Sequence, residues 1–344
     1  MSVDFEVPIV IVGFGHSEDL AECLAAVGGQ RHCPKFEVFI CENGGGAAFD
    51  ALIEALSKEG GPCEGGVESV EPASNDFVRA RRLRLAGGRI LVTIGQAKDN
   101  LGFAGGTNAW VRPLLAEPGW TAVWILNPDT FPEPDALAGL VEYAARRGKG
   151  MVGSRLISPG RSDFVLSRGL KWNKLSTRLT GVDMNAPVLP DPDPEDVEQR
   201  IDSPTGSSMY VTRHCIELIG LMDDSFFLYW EEVDWAVRAK AACGVGYAHN
   251  SVVPHISGGT TGAGGNKAQR SVVAVYLGYR NKLHFVREHH PNWFAWTVFV
   301  SFLRTGEFLA AGSTRNFAAA IKGLMAGLRG EKGRPEFASK QANV

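Results

Sequence analysis

Carboxylates, asparagines and glycines recur directly after apolar runs in this 344-residue chain, where side chains commonly meet small ligands. Asn127-Pro128-Asp129-Thr130 places a carboxylate, held by a proline, at the end of a hydrophobic run. Such a rigid acid suits a hard divalent cation carrying phosphate oxygens, although an Asx-type turn has the same composition. Asp99-Asn100-Leu101-Gly102-Phe103-Ala104-Gly105-Gly106-Thr107-Asn108 brings three glycines into one short span. The glycines permit close backbone approach, and the helix expected after them would offer its first N–H groups to an anion. Tyr229-Trp230-Glu231-Glu232-Val233-Asp234-Trp235 crowds three acids among aromatics at a helix start. Desolvation and mutual repulsion would raise a carboxyl pKa there towards what a general base needs. The same acids, if solvated, would only complement the helix N-terminus. His255 follows a strand and a proline, where a lone histidine is more often structural than ligating. Gly13-Phe14-Gly15-His16-Ser17-Glu18 partly matches a dinucleotide fingerprint but lacks its third glycine.

Alternating strand-like and helix-like segments must position these residues. Val7 to Val12 is an apolar run cut off by Gly13, and Ser17 is an expected N-cap for a helix through Ala26. Phe36–Cys41, Arg89–Thr93 and Trp120–Leu126 read as further strands, with helices over Ala47–Lys58 and Thr107–Leu115. Gly60–Gly88 reads as a Gly- and charge-rich excursion. This order predicts an α/β fold of βαβ units around a mostly parallel sheet. Beyond it, Asp135–Arg147, Ile216–Met222 and Val233–Ala242 read as helices, and Gly150–Leu156 and Gly244–Val253 as strands. Residues 158–200 are Pro- and Asp-rich, with Pro187–Glu198 the expected exposed loop. Ser257–Gly265 is glycine-rich, and Ser271–His289 and Phe317–Leu328 read as amphipathic helices.

Hydrophobic residues make up 44% and charged residues 21%, which excludes collagen-like, coiled-coil and largely disordered chains. A net charge of -3 gives no field for sequence-independent nucleic-acid binding. The six cysteines contain no C-x-x-C pair and read as reduced thiols of a cytosolic protein. The acidic N-terminus is not a signal peptide by pattern. Trp293–Leu303 is about half of the roughly 20 apolar residues a bilayer span needs. It reads as packed against the rest of the fold or in a homodimer interface, or as resting on a membrane surface.

Taken in order, these segments resemble glycosyltransferase family 2, the inverting GT-A transferases, in its rhamnosyltransferase-like and galactofuranosyltransferase-like branch. Val10-Ile11-Val12, Asn100–Asn108, Leu126–Thr130, Thr205-Gly206-Ser207-Ser208-Met209, Phe226–Asp234 and Val253-Pro254-His255 carry the likeness over about residues 7–290. The resemblance implies a GT-A catalytic domain over residues 1–256. Residues 1–130 would be its Rossmann-like nucleotide-sugar-binding half and 131–256 its acceptor half. A Gly-rich loop and C-terminal helices would fill 257–344. It further implies that Gly13, Phe14 and Glu42 hold the nucleotide, and that Asn100, Gly102, Phe103, Asn108 and Asn127 shape the donor pocket. Asp129, where the family keeps an Asp-x-Asp, would bind Mg²⁺ or Mn²⁺, with His255 completing the metal site. The catalytic base falls at Glu232, where the family usually has aspartate, with Glu231 as the alternative. Trp230 and Asp234 would face the acceptor. The implied activity is transfer of a sugar from a rhamnose-type dTDP-sugar or a UDP-sugar to a saccharide or lipid-linked saccharide. The implied setting is cytoplasmic, at the inner face of the membrane in its peripheral form, with Ser257–Gly265 as a lid. A sugar-phosphate nucleotidyltransferase and a non-catalytic nucleotide-sugar-binding module are the competing readings.

Overall fold

The computed structural model describes residues 5–256 and 267–337, so the expected lid Ser257–Gly265 lies outside the described residues. The first half runs β1 (Val7–Gly13), α1 (Ser17–Gly28), β2 (Phe36–Glu42), α2 (Gly45–Ser57), β3 (Cys63–Val70), β4 (Phe77–Leu85), β5 (Leu91–Ala97), α3 (Gly102–Leu115) and β6 (Ala122–Leu126). Then come α4 (Ala136–Arg147), β7 (Met151–Ser158), β8 (Arg161–Ser167), β9 (Leu170–Asn173), β10 (Arg178–Gly181) and α5 (Pro194–Arg200). They lead into β11 (Ser208–Thr212), α6 (Arg213–Ile219), α7 (Glu231–Ala242) and β12 (Val245–Pro254). Three helices close the chain: α8 (Val272–His289), α9 (Phe294–Ala310) and α10 (Thr314–Arg329).

Among the described residues, one sheet takes the order β12-β7-β11-β6-β1-β2-β5-β4-β3, with β8 paired to β7. Its centre is parallel: Ile11 lies in register with Ile40 on one side and Leu126 on the other. β1 can be central because both of its faces are apolar. Ile9 and Ile11 pack with Leu20, Leu52 and Leu140 of α1, α2 and α4. Val10 points the other way, into the cluster of Trp110, Ile216 and Trp235 from α3, α6 and α7. The result is a three-layer α/β/α molecule whose sheet has the antiparallel hairpin β3–β4 at one edge, the parallel β12 at the other, and the antiparallel β11 inserted between β7 and β6.

Several local expectations change. The excursion over 60–88 is the antiparallel hairpin β3–β4, in which Leu83 and Leu85 are buried while Arg82 and Arg84 face outward. A register irregularity between Phe77 and Arg79 breaks the alternation that would have announced it. α3 begins at Gly102, so the glycines lie inside its first turns and are not in a preceding loop. Residues 158–200 hold β8, β9, β10 and α5, and α5 occupies the end of the expected Pro187–Glu198 loop. Ser17 is the first residue of α1; its N-cap is His16, in the left-handed region. Cys215 and Cys243 are joined in a disulfide, against the expectation of six reduced thiols. They meet because α6 packs on α7 and the two Cα atoms lie 5.8 Å apart. α9 is not buried against the rest of the molecule by its apolar side: Phe299, Phe302 and Leu303 are more than half exposed.

Candidate active site

A cavity of about 610 Å³ opens where β1, β6 and β12 end, within the roughly 300–1,000 Å³ of small-molecule sites. Phe14 follows β1, Asn43 follows β2, Asn100 follows β5, Asn127 to Asp129 follow β6, and His255 follows β12. Thr205 to Ser207, ahead of β11, line the opposite wall with Glu231 and Glu232 from the start of α7.

Backbone geometry locks the side of the cavity built from the ends of β1 and β2 and the start of α3. The Glu42 carboxylate accepts the N–H groups of Gly15 (3.0 Å) and Gly44 (2.6 Å) through Oε1. A Cβ at Gly13 would lie 2.8 Å from Glu42 Oε2, so the glycine leaves room for that acid. Glu42 Oε2 is buried without a hydrogen-bond partner, and burial raises the carboxyl pKa against the two N–H donors. Asn43 donates to Gly102 O at 3.0 Å and accepts from Leu101 N at 3.1 Å, which ties the β2 loop to the start of α3. Gly102 takes φ +72° with its Cα so close to Phe227 that a Cβ would stand 2.0 Å from Phe227 O.

Phe226–Trp230 delivers the acids. Phe227, Tyr229 and Trp230 take φ values of 68°, 71° and 78°, unusual for non-glycine residues. α8 holds this strained path. The Asn281 amide donates to the carbonyls of Phe226, Leu228 and Tyr229 at 2.8–2.9 Å. Arg280 donates to Phe226 O at 3.1 Å and to Asn281 Oδ1 at 2.8 Å. The path ends with Glu231 and Glu232 in the first turn of α7. Burial raises both carboxyl pKa values; Glu231 is raised well above the usual range, with Glu232 and then Asp234 adding repulsion. Backbone N–H groups at the helix start oppose the shift and do not cancel it. One oxygen of each carboxylate, Oε2, has no hydrogen-bond partner.

Thr130 and His255 form an isolated antiparallel bridge, and this sets His255 Nε2 3.2 Å from Asp129 Oδ1. Both residues are buried at the cavity wall, and His255 Nδ1 has no partner. A carboxylate and an imidazole about 3 Å apart match the spacing of adjacent ligands in an octahedral shell of roughly 2.1 Å bonds. The pair therefore fits a divalent cation that takes its other ligands from a substrate and water. Among the described residues, two groups of three ligating side chains lie elsewhere: Asp223 with His284 and Glu288, and Asp234 with Glu288 and His289. Neither lines this cavity, and Arg238 already occupies Asp234.

Of the residues singled out in the sequence, Phe14, Asn100, Gly102, Phe103, Asn127, Asp129, Glu231, Glu232 and His255 meet around the cavity. Gly13 and Glu42 sit behind its wall, building the loop after β1. Asn108 donates to Met222 O at 2.9 Å and is buried in α3. Trp230 packs on Phe285, 5.1 Å between rings. Asp234 pairs with Arg238 and His289, so neither Trp230 nor Asp234 faces the cavity. Asn43 stood one residue past a strand and was legible. Arg280 and Asn281 were not, because polar residues inside a helix carry no sign of the loop they hold.

No family model matches the chain. Over 142 residues it is 26% identical to the low-salt glycan biosynthesis hexosyltransferase Agl10 of Haloferax volcanii. The match covers 41% of this chain and 44% of that protein, less than half its length. The chain is similar in structure to S. aureus TarS 1-349, with TM-score 0.52 and 10% identity over 94% of this chain and 80% of that one. The same TarS fragment in complex with UDP-GlcNAc gives TM-score 0.52 and 11% identity over 97% and 83%. GalNAc-T7 with UDP, GalNAc and Mn²⁺ gives TM-score 0.54 and 11% identity, over 99% of this chain and 57% of that one. The chain thus has the GT-A fold, with helices added at its C-terminal end.

Proposed function

We propose that the chain is an inverting, metal-dependent glycosyltransferase. It would move a sugar from a nucleoside-diphosphate sugar, a rhamnose-type dTDP-sugar or a UDP-sugar, to a saccharide or lipid-linked saccharide. The observation that carries this reading is the meeting of Asp129 and His255 with Glu231 and Glu232 in one cavity. The hexosyltransferase relative, and the nucleotide and sugar ligands named for TarS and GalNAc-T7, support it.

Phe14 and Asn100 would flank the nucleotide, with Glu42 bracing the loop that carries Phe14. Asp129 and His255 would hold Mg²⁺ or Mn²⁺, which supplies positive charge against the diphosphate. Glu232, partly open to the cavity, would take the proton of the acceptor hydroxyl. That oxygen attacks the anomeric carbon on the face opposite the leaving nucleoside diphosphate. Glu231, buried beside Glu232, has its carboxyl pushed up by burial and by that neighbouring acid, and is the alternative base. The apolar wall of Leu156, Leu166 and Leu228 would exclude water that competes for the donor.

Thermal shift of the protein with a panel of nucleoside-diphosphate sugars, with and without Mn²⁺, tests the reading. A cognate donor at 100 times its Kd should add about 2.7 kcal/mol of stability, only when metal is present. Silence toward every nucleoside diphosphate and its sugars, with metal present, overturns it.

A further inference from the structure

α9 is amphipathic in the reverse sense. Thr297, Ser301 and Thr305, at four-residue spacing, are buried. The Oγ atoms of Thr297 and Ser301 have no hydrogen-bond partner. Trp296, Phe299, Phe302, Leu303 and Leu309 are 43–58% exposed on the opposite side. A helix whose outer side met only water would gain by the opposite arrangement. The surface continues past the helix: Trp296 Nε1 donates to Leu175 O at 3.0 Å, and Leu175 is itself 66% exposed.

Charge beside this face is mostly of one sign. Arg178, Lys267 and Arg304 all converge on the single acid Glu307. Leu175 also borders a hollow lined by Lys171, Lys174 and Lys240, with Asp202 as its acid. On α10, Arg315, Lys322 and Arg329 are exposed. Residues 291–334 carry six Lys or Arg against two Glu in a chain whose net charge is -3.

We propose that the outer face of α9, with its basic rim, docks on the surface of an anionic phospholipid bilayer. The aromatic and leucine side chains would enter the headgroup–acyl boundary while the cations meet lipid phosphates. Among the described residues no helix is long and apolar enough to cross a membrane, so the contact is one of surface insertion. A second copy of the chain is the less favourable occupant. A two-fold dimer through this face would set its cationic rim against the same rim of the partner.

The test is sedimentation of the full chain with phosphatidylcholine vesicles and with phosphatidylcholine–phosphatidylglycerol vesicles. Light scattering is run alongside. We expect binding to the anionic vesicles, weakened at least tenfold between 0.1 M and 0.5 M salt, and little binding to the neutral ones. Phe299→Glu with Phe302→Glu should lower the affinity at least tenfold while leaving Tm unchanged, since both rings are exposed. Three results overturn the proposal: no binding to anionic vesicles, equal binding to neutral ones, or unchanged binding by the double variant. A dimer that the same variant dissociates, without vesicle binding, assigns the face to self-association instead.

Discussion

Glu231 and Glu232 cost the folded state stability, and the proposed function gives them reactivity in return. Their folded-state pKa values lie above the usual 4.5 of glutamate because burial disfavours the charged form. Between pH 4.5 and those raised values the folded state holds more protons than the unfolded chain, so stability falls as pH rises through that window. Glu231→Gln should therefore raise Tm at pH 7 and leave it nearly unchanged at pH 4, as a pair of melting curves would show. The base reading makes a kinetic claim as well. The kcat/KM of the parent should rise with pH along a limb placed above the ordinary carboxylate range. Glu232→Gln should lower kcat about 10²–10⁴-fold and keep donor affinity. Asp129→Ala, by contrast, should abolish the Mn²⁺-dependent part of the donor's thermal shift. These acids were legible in the sequence because each follows an apolar run, Asp129 just past the end of a strand and Glu231 and Glu232 at the start of a helix. Asp234 was equally conspicuous and faces elsewhere: one helical turn carries its carboxylate to Arg238 and His289.

At the scale of elements, the site depends on three non-glycine residues held at positive φ between Phe227 and Trp230. Such conformations cost about 1–3 kcal/mol each and persist only where neighbours enforce them. The enforcing groups are Asn281, whose amide is shared among three carbonyls, and Gly102, whose missing side chain admits Phe227 O. Asn281→Ala should cost about 1–3 kcal/mol, since it removes the buried amide donor that three carbonyls share. It should also lower kcat more than it changes the donor KM, because the loop it frees carries the acids and not Asp129 and His255, the proposed metal ligands. Steady-state kinetics beside a denaturant melt separate the two effects. The sequence announced the glycine and not its reason. A glycine at a helix start reads as a phosphate cradle, whereas here φ +72° and the close approach of a loop 125 positions away require it. The β3–β4 hairpin was hidden for a related reason: it is an edge ribbon in which four arginines, two of them adjacent at Arg81 and Arg82, interrupt the apolar residues of β4, so composition masked a period of two.

On the scale of the whole molecule, the expected division at residue 256 runs through the cavity wall. Ser271, Val273 and Ala274 of the segment beyond it line the same cavity as Asp129 and Glu232. Tyr276 and Leu277 pack on Phe227, and Phe285 and Val286 pack on Phe226, Trp230 and Val233. These contacts join residues far apart in the chain, and no local pattern in either segment encodes them. A fragment ending at residue 256 would uncover Phe226, Phe227 and Trp230, each now 5% exposed or less. Each such side chain contributes about 1.5–3 kcal/mol when fully buried. The proposed donor side is built differently, for Phe14, Asn100, Asp129 and His255 all precede the cut. The two halves of the chemistry should therefore separate on truncation. Such a fragment should melt well below the parent and bind hydrophobic dye. It should give no transfer, whatever Mn²⁺-dependent response to nucleoside diphosphate it keeps. Full transfer by the fragment would mean that the strained loop holds its shape without α8, and the positioning role given to Asn281 would fall with it.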